Sequence, residues 1–534
     1  MLHLPGPHPA LLIFPFTPTC QHFFSTQVKR IMGSSYSVPV IEEKSPRRKA
    51  DSIQSDRRAD CEYEIVDSPP PYQIEAPYQI EEREPVSLRR VEDWNDVLLE
   101  DPKNRLAISS VAGASYTDVL ANRAAYKSDI QVFNVKVPIE GSPITNQRSS
   151  GRCWLFASTN IFRVPIMRAY GLKDFELSQA YLFYWDKIEK ANYFFEKIIE
   201  TADEDITGRL VQKLLEDPVT DGGQWDMVVN LVKKYGLVPH DVYPDNFNAQ
   251  NSSKMNWLLT AKLREQAFVL RRLASSTKSG EVAQLSSVKE KFLKEIHSLV
   301  TIMLGPPPSP EKKFTWQYND PEGKAREIQQ TPLEFGRRAY SESSRAKVSP
   351  HRLVSLVNDP RNEYNRLMTV DKLGNVVEGQ PLSYVNVEMT TLKQGVIAML
   401  RAGHPVFFGC DVGKFSDRTL GIMDPEILDL TLGFNISLGM DKAQRLTSGE
   451  TAMTHAMVIT AVHIENGKPV RWRVENSWGE ASGDKGWYVM SDRWMDEYTF
   501  QAVVDLSLVS RDIQDILTQE PLVLPRWDPM GVLA

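Results

Sequence analysis

The stretch Gln147-Arg148-Ser149-Ser150-Gly151-Arg152-Cys153-Trp154-Leu155-Phe156-Ala157-Ser158 limits the fold of this chain more than any other. A loop of Ser, Gly and Arg turns there into an apolar run that continues through Ile161, Phe162, Val164, Ile166 and Met167. The run is apolar on nearly every side, which predicts a helix buried all round rather than an amphipathic surface helix. Cys153 stands at its start. The first turn of a helix leaves backbone N–H groups without partners and carries the positive end of the dipole, and both favour thiolate over thiol. Gln147, upstream in the loop, has a side-chain amide that can share a developing oxyanion with the Cys153 backbone N–H. Taken alone, a cysteine in such a place reads more plainly as a buried packing residue.

A cysteine nucleophile needs a base, and the base an orienting partner. His455 heads a β-prone apolar run, and a second run, residues 470–474, leads into Glu475-Asn476-Ser477-Trp478-Gly479. The signal Glu465-Asn466-Gly467-Lys468 between them predicts a hairpin that brings His455 and Asn476 together. The Asn476 amide can accept the imidazole N–H and select its tautomer, with Trp478 shielding that bond from water. His404 precedes Pro405 in a turn and His463 has no acidic partner in pattern, so neither competes as base.

Gln-x5-Cys-Trp, then a histidine on a strand, then Asn-Ser-Trp-Gly, in that order, resembles the papain-type cysteine peptidases. The chain departs from their secreted members at Ser150, where those usually carry a disulfide cysteine, and at Arg152, where Ser is common. Asp221-Gly222-Gly223-Gln224-Trp225-Asp226, Lys234-Tyr235-Gly236-Leu237-Val238-Pro239 and the closing Leu524-Pro525-Arg526-Trp527-Asp528-Pro529-Met530-Gly531-Val532-Leu533-Ala534 narrow the resemblance to the bleomycin hydrolase family, over residues 95–534. The resemblance implies an α+β, two-lobed papain-like fold. Its helical lobe (residues 93–239) carries Cys153, with Trp154 as support, and its β lobe (386–511) carries His455 and Asn476. A large, mainly helical insertion (240–385) separates them, and an extended arm (512–534) enters the active-site cleft.

The implied activity is that of a cysteine aminopeptidase, extending to bleomycin-type amides and homocysteine thiolactone. Gly222 and Gly223 would pair with the substrate main chain, where a side chain would hold a peptide away. Ala534 would meet the substrate α-ammonium, so that the arm restricts cleavage to N-terminal ends. The resemblance also implies a homohexamer around a central channel, and affinity for single-stranded nucleic acid. Arg271, Arg272 and Lys278 could line such a channel, or simply form a solvated helix face. A Cys-His acyltransferase would use the same nucleophile, but typically with Asp in place of Asn476 and without Gln147. A non-catalytic nucleic-acid scaffold is the other alternative. No metal or organic cofactor is required for the peptidase chemistry.

The formal charge of −7 argues against nucleic-acid binding by bulk electrostatics. Cys20, Cys61, Cys153 and Cys410 lie far apart, without framework spacing, which suits a reducing, cytoplasmic setting and argues against structural disulfides or zinc. Residues 11–14 form an apolar run cut short by Pro15, too short for a transmembrane segment. A mitochondrial leader would be richer in Arg, though it remains the alternative address. Met32-Gly33-Ser34-Ser35-Tyr36-Ser37 fits an N-myristoylation pattern at Gly33 if synthesis starts at Met32, which would give weak membrane association. Residues 38–92 are rich in Pro, Glu, Arg and Ser and are expected to be disordered. Within them Pro69-Pro70-Pro71-Tyr72 fits a WW-domain ligand, and equally a solvated linker.

Overall fold

The hairpin forms as its turn residues predict. His455–Glu465 and Lys468–Glu475 pair antiparallel. Between them Asn466 (φ 50°) and Gly467 (φ 77°) take two successive left-handed conformations, matching the twist of a two-residue connection. The computed structural model describes residues 85–276, 282–338 and 352–534. Gly33, the Pro69–Tyr72 motif and Lys278 lie outside these residues, as do Cys20 and Cys61.

The hairpin is the centre of one twelve-stranded sheet. Val406–Cys410 flanks the histidine strand and sets Cys410 opposite His455. Beyond it come Thr499–Asp505, Leu353–Val357, Tyr384–Asn386, Arg366–Val370 and Leu522–Leu524. On the other side Lys468–Glu475 is followed by Trp487–Ser491, Ile422–Met423 and Ser416–Asp417. The helix Cys153–Tyr170 packs on the histidine strand, its apolar residues buried on every side as the continuous run demands. Gln179–Glu200 starts at Ser178, whose Oγ accepts the Tyr181 N–H at 3.0 Å. Helices Ser253–Ser276 and Val282–Leu304 pack on it and share its core through Met255, Leu259, Leu263, Ile296 and Val300. Each fully buried side chain of that size contributes about 1.5–3 kcal/mol.

Several expectations are corrected. Ahead of the cysteine loop only Val135–Lys136 pairs with the histidine strand. The Asn134 side chain takes over the ladder instead, donating to the Ile464 carbonyl at 2.8 Å and accepting the Ile464 N–H at 2.9 Å. Strands Leu353–Val357, Arg366–Val370 and Tyr384–Asn386, read from sequence as part of the insertion, run in the main sheet. They are three to five residues long, too short for alternation to mark them. Helix Leu88–Glu100 begins inside the stretch read as disordered, with Ser87 as its cap. Residues 511–516 form a short helix, Arg511–Ile516, before the arm extends. Arg271 is not on a solvated helix face: it is buried and donates to the Thr201 carbonyl at 2.7 Å, closing the C-terminal end of Gln179–Glu200. His463 does have an acidic partner, Glu465, at 2.8 Å.

Candidate active site

Cys153 opens its helix behind Arg152, whose carbonyl accepts the Leu155 and Phe156 N–H groups at 3.0 and 3.1 Å. Arg152 takes φ −91° and ψ 17°, and its side chain makes no cap bond. The guanidinium turns away to a buried bidentate pair with Asp245 at 2.8 and 2.7 Å. The Cys153 and Trp154 N–H groups are thus left to the thiol. Cys153 is buried, and its thiol lies within hydrogen-bond reach of the backbone N–H groups of Ala456, Trp154 and Cys153 itself. Since Ala456 follows His455, the hairpin brings base and thiol to one place.

His455 Nε2 meets Asn476 Oδ1 at 2.9 Å, and the same oxygen accepts the Ser477 N–H at 2.8 Å. The Trp478 indole lies over the imidazole, ring centres 5.0 Å apart, and Arg418 sits 4.8 Å above the indole. Gln147 is anchored from three directions. Its N–H donates to the Ser477 carbonyl at 2.8 Å, its Oε1 accepts from Ser477 Oγ at 2.7 Å, and its Nε2 donates to the Ser150 carbonyl at 2.6 Å. One hydrogen on that Nε2 remains for an oxyanion.

Burial opposes the thiolate that the helix end favours. Burial pushes the Cys153 thiol up to about 11 against the pull of the three N–H groups. Burial likewise pushes His455 down to about 4, although Asn476 works the other way. Both shifts favour the neutral pair of thiol and imidazole over the ion pair. Desolvation opposes the helix end because both side chains are buried.

Gly222 and Gly223 line the same cleft, and the closing arm lies against them. The Gly223 N–H donates to a carboxylate oxygen of Ala534 at 2.9 Å, and Gln224 Nε2 to the Val532 carbonyl at 2.9 Å. A Cβ on Gly222 would come 2.8 Å from the Leu533 carbonyl oxygen, and one on Gly223 would come 2.4 Å from the Trp154 indole. Trp154 is fixed in turn by its Nε1–H, which donates to the Asp221 carbonyl at 2.6 Å.

All nine residues singled out from sequence therefore gather around one cleft. Sequence reading missed the ions beneath it. Arg163 Nη2 meets Glu475 Oε1 at 2.6 Å with both side chains fully buried, joining the cysteine helix to the residue before Asn476. Asp221 is held by Lys187 at 2.6 Å. Burial works to raise its carboxyl, but Lys187 and the hydrogen bonds from Ser252 and Gly151 hold it well below the usual carboxylate range. Part of the signal was present: Arg163 is a charge inside a helix that is otherwise buried and largely apolar, which survives burial only when paired. Among the described residues no cluster of His, Cys, Asp or Glu is arranged to hold a metal, and no helix is long and apolar enough to cross a membrane.

A papain-type sheet and helix that set cysteine, histidine and asparagine in one cleft define a class, and comparison with known proteins bears on which branch of it. Residues 85–531 match the Peptidase C1-like family. The chain belongs to that family and is a cysteine peptidase. Cysteine proteinase 1, mitochondrial, of Saccharomyces cerevisiae is 44% identical over 458 residues, covering 84% of this chain and 93% of the yeast protein. Bleomycin hydrolase of Homo sapiens is 43% identical over 446 residues, covering 82% and 96%. The crystal structure of pepw from Lactobacillus rhamnosis superposes with a TM-score of 0.80 at 37% identity, covering 84% of this chain and 99% of that one. The chain is thus a homologue of the bleomycin hydrolases.

Proposed function

We propose that this chain is a cysteine aminopeptidase whose closing arm restricts it to N-terminal ends. The observation that carries the reading is the Gly223 N–H bond to the Ala534 carboxylate at 2.9 Å, which seats the arm on the backbone edge that a peptide would use. A substrate then has room only for one or a few residues between the arm and Cys153. Volume excludes longer N-terminal extensions.

In the reaction His455 takes the Cys153 proton as sulfur attacks the carbonyl carbon. The oxyanion is held by the Cys153 N–H and Gln147. The amine leaves with the proton from His455, and a water deprotonated by His455 opens the thioester and returns the thiol. Asn476 keeps the ring turned to receive and deliver the proton. Bleomycin-type amides and homocysteine thiolactone offer the same carbonyl beside a free amine, and they fall within the proposal. So do assembly as a homohexamer, which sedimentation would check, and a cytoplasmic location. The yeast relative's name supports a mitochondrial one as second reading.

One peptide with free and acetylated N-termini, given to the intact chain and to a chain lacking residues 531–534, tests the proposal. The intact enzyme should cleave only the free form and the shortened one both. A shortened enzyme that still rejects the acetylated peptide would make the arm a structural strap.

A further inference from the structure

Residues 245–256 touch the nucleophile loop at three points. Asp245 holds the buried Arg152 guanidinium bidentately, which also lies 5.1 and 5.2 Å from the ring centres of Phe156 and Phe183. The Ser149 N–H donates to the Gln250 carbonyl at 2.9 Å. The third contact runs through Asp221. One of its carboxylate oxygens accepts the Gly151 N–H at 3.1 Å together with Ser252 Oγ. The other accepts Asn256 Nδ2 at 2.7 Å and Lys187 Nζ at 2.6 Å.

Ser149, Gly151 and Arg152 lie between the two oxyanion donors, Gln147 and the Cys153 N–H. Gln147 Nε2 itself leans on the Ser150 carbonyl at 2.6 Å. Any shift of this loop therefore moves both donors against the carbonyl they must meet. Burying an ion pair here costs desolvation that good geometry only repays, so stability alone gives little reason for it.

We infer that residues 245–256 are a positioning element for the oxyanion donors, with Asp245 and Asp221 as positioning residues. The inference rests on the proposed roles of Cys153 and Gln147. It gives the segment between the two halves of the fold a part in the reaction, since the helix Ser253–Ser276 that begins there reports to the nucleophile loop through Asn256.

The experiment compares the full chain with Asp245→Asn and with the pair Ser252→Ala and Asn256→Ala, the second of which orphans no buried charge. Three quantities are read: peptide kcat and KM, inhibition by a peptide aldehyde, and alkylation of Cys153 by iodoacetamide. The aldehyde adds to sulfur and places its oxygen where the oxyanion forms. Alkylation makes a sulfur–carbon bond as iodide leaves and forms no oxyanion. A donor shift of the order of 1 Å should lower kcat by ~10–100-fold and weaken the aldehyde by the same factor. KM and the alkylation rate should stay within about 2-fold, because neither depends on the oxyanion. If turnover and alkylation fall together, or if kcat stays unchanged in both variants, the positioning role is overturned. Turnover that survives Cys153→Ala would instead overturn the underlying reading.

Discussion

Gly222→Ala isolates the backbone edge on which the arm and the substrate are proposed to lie. Its new methyl would come 2.8 Å from the Leu533 carbonyl oxygen and 2.9 Å from a carboxylate oxygen of Ala534. Carbon-to-oxygen contacts ordinarily settle at about 3.3–3.6 Å, so the arm must lift by roughly half an ångström. Gly222 is not among the positive-φ residues, so alanine fits the backbone without strain. Lifting lengthens two 2.9 Å bonds, Gly223 N–H to the Ala534 carboxylate and Gln224 Nε2 to the Val532 carbonyl. At about 0.5–1.5 kcal/mol net for each bond, the arm loses ~1–3 kcal/mol of docking, or roughly 5- to 150-fold in equilibrium. A peptide whose α-ammonium is to meet the end of the arm at Ala534 loses that contact when the arm lifts, so KM should rise several-fold while kcat holds. Carboxypeptidase digestion reads release of the arm, and initial rates on a dipeptide amide read KM. Thermal stability should stay near that of the unaltered chain, because the methyl points into the cleft. Gly223→Ala is the contrast, since its methyl drives into the buried Trp154 ring and should cost ~1–3 kcal/mol of fold stability. Unchanged arm protection together with unchanged KM in Gly222→Ala would refute the shared edge.

Cys153→Ala should abolish turnover with folding intact, His455→Ala should be nearly as severe, and Asn476→Ala milder; Gln147→Ala should lower kcat by ~10²-fold, and an unchanged kcat would place the oxyanion elsewhere. Glu475→Ala leaves Arg163 buried without its partner and should cost ~3–5 kcal/mol in chemical denaturation, whereas Arg163→Met with Glu475→Leu should cost much less; equal losses would mean the pair carries no mutual dependence. Burial, helped by Arg168, pushes His404 down to about 4 from its ordinary 6.5. The unfolded chain then binds more protons between those values, so this residue lowers stability as pH falls from about 6.5 to about 4. Melting curves of His404→Gln should be flatter across that window, and identical pH dependence would remove His404 as the cause.

Much of the site was legible in the residues because its chemistry is carried by local signals. A helix that is apolar all round, a cysteine at its start, an Asn-Gly turn between two β-prone runs and a glycine pair facing a cleft each follow from a few neighbouring positions. The fold class followed from the family resemblance that their order carries. Three things had to wait for the tertiary structure. Charge state was one: the end of the helix favours thiolate, but desolvation at Cys153 and His455 depends on what covers them, and covering is a non-local property. The buried ions were another. Arg163 and Glu475 lie 312 residues apart in sequence and Arg152 and Asp245 lie 93 apart, so no spacing pattern pairs them. The last was the partition of strands. Leu353–Val357 and Tyr384–Asn386 are too short to declare a face, and they belong to the main sheet only because Thr499–Asp505 offers Leu353–Val357 a free edge. Periodicity and capping act over a turn or two of chain, whereas dielectric, ion pairing and strand order are set by whatever the fold brings alongside.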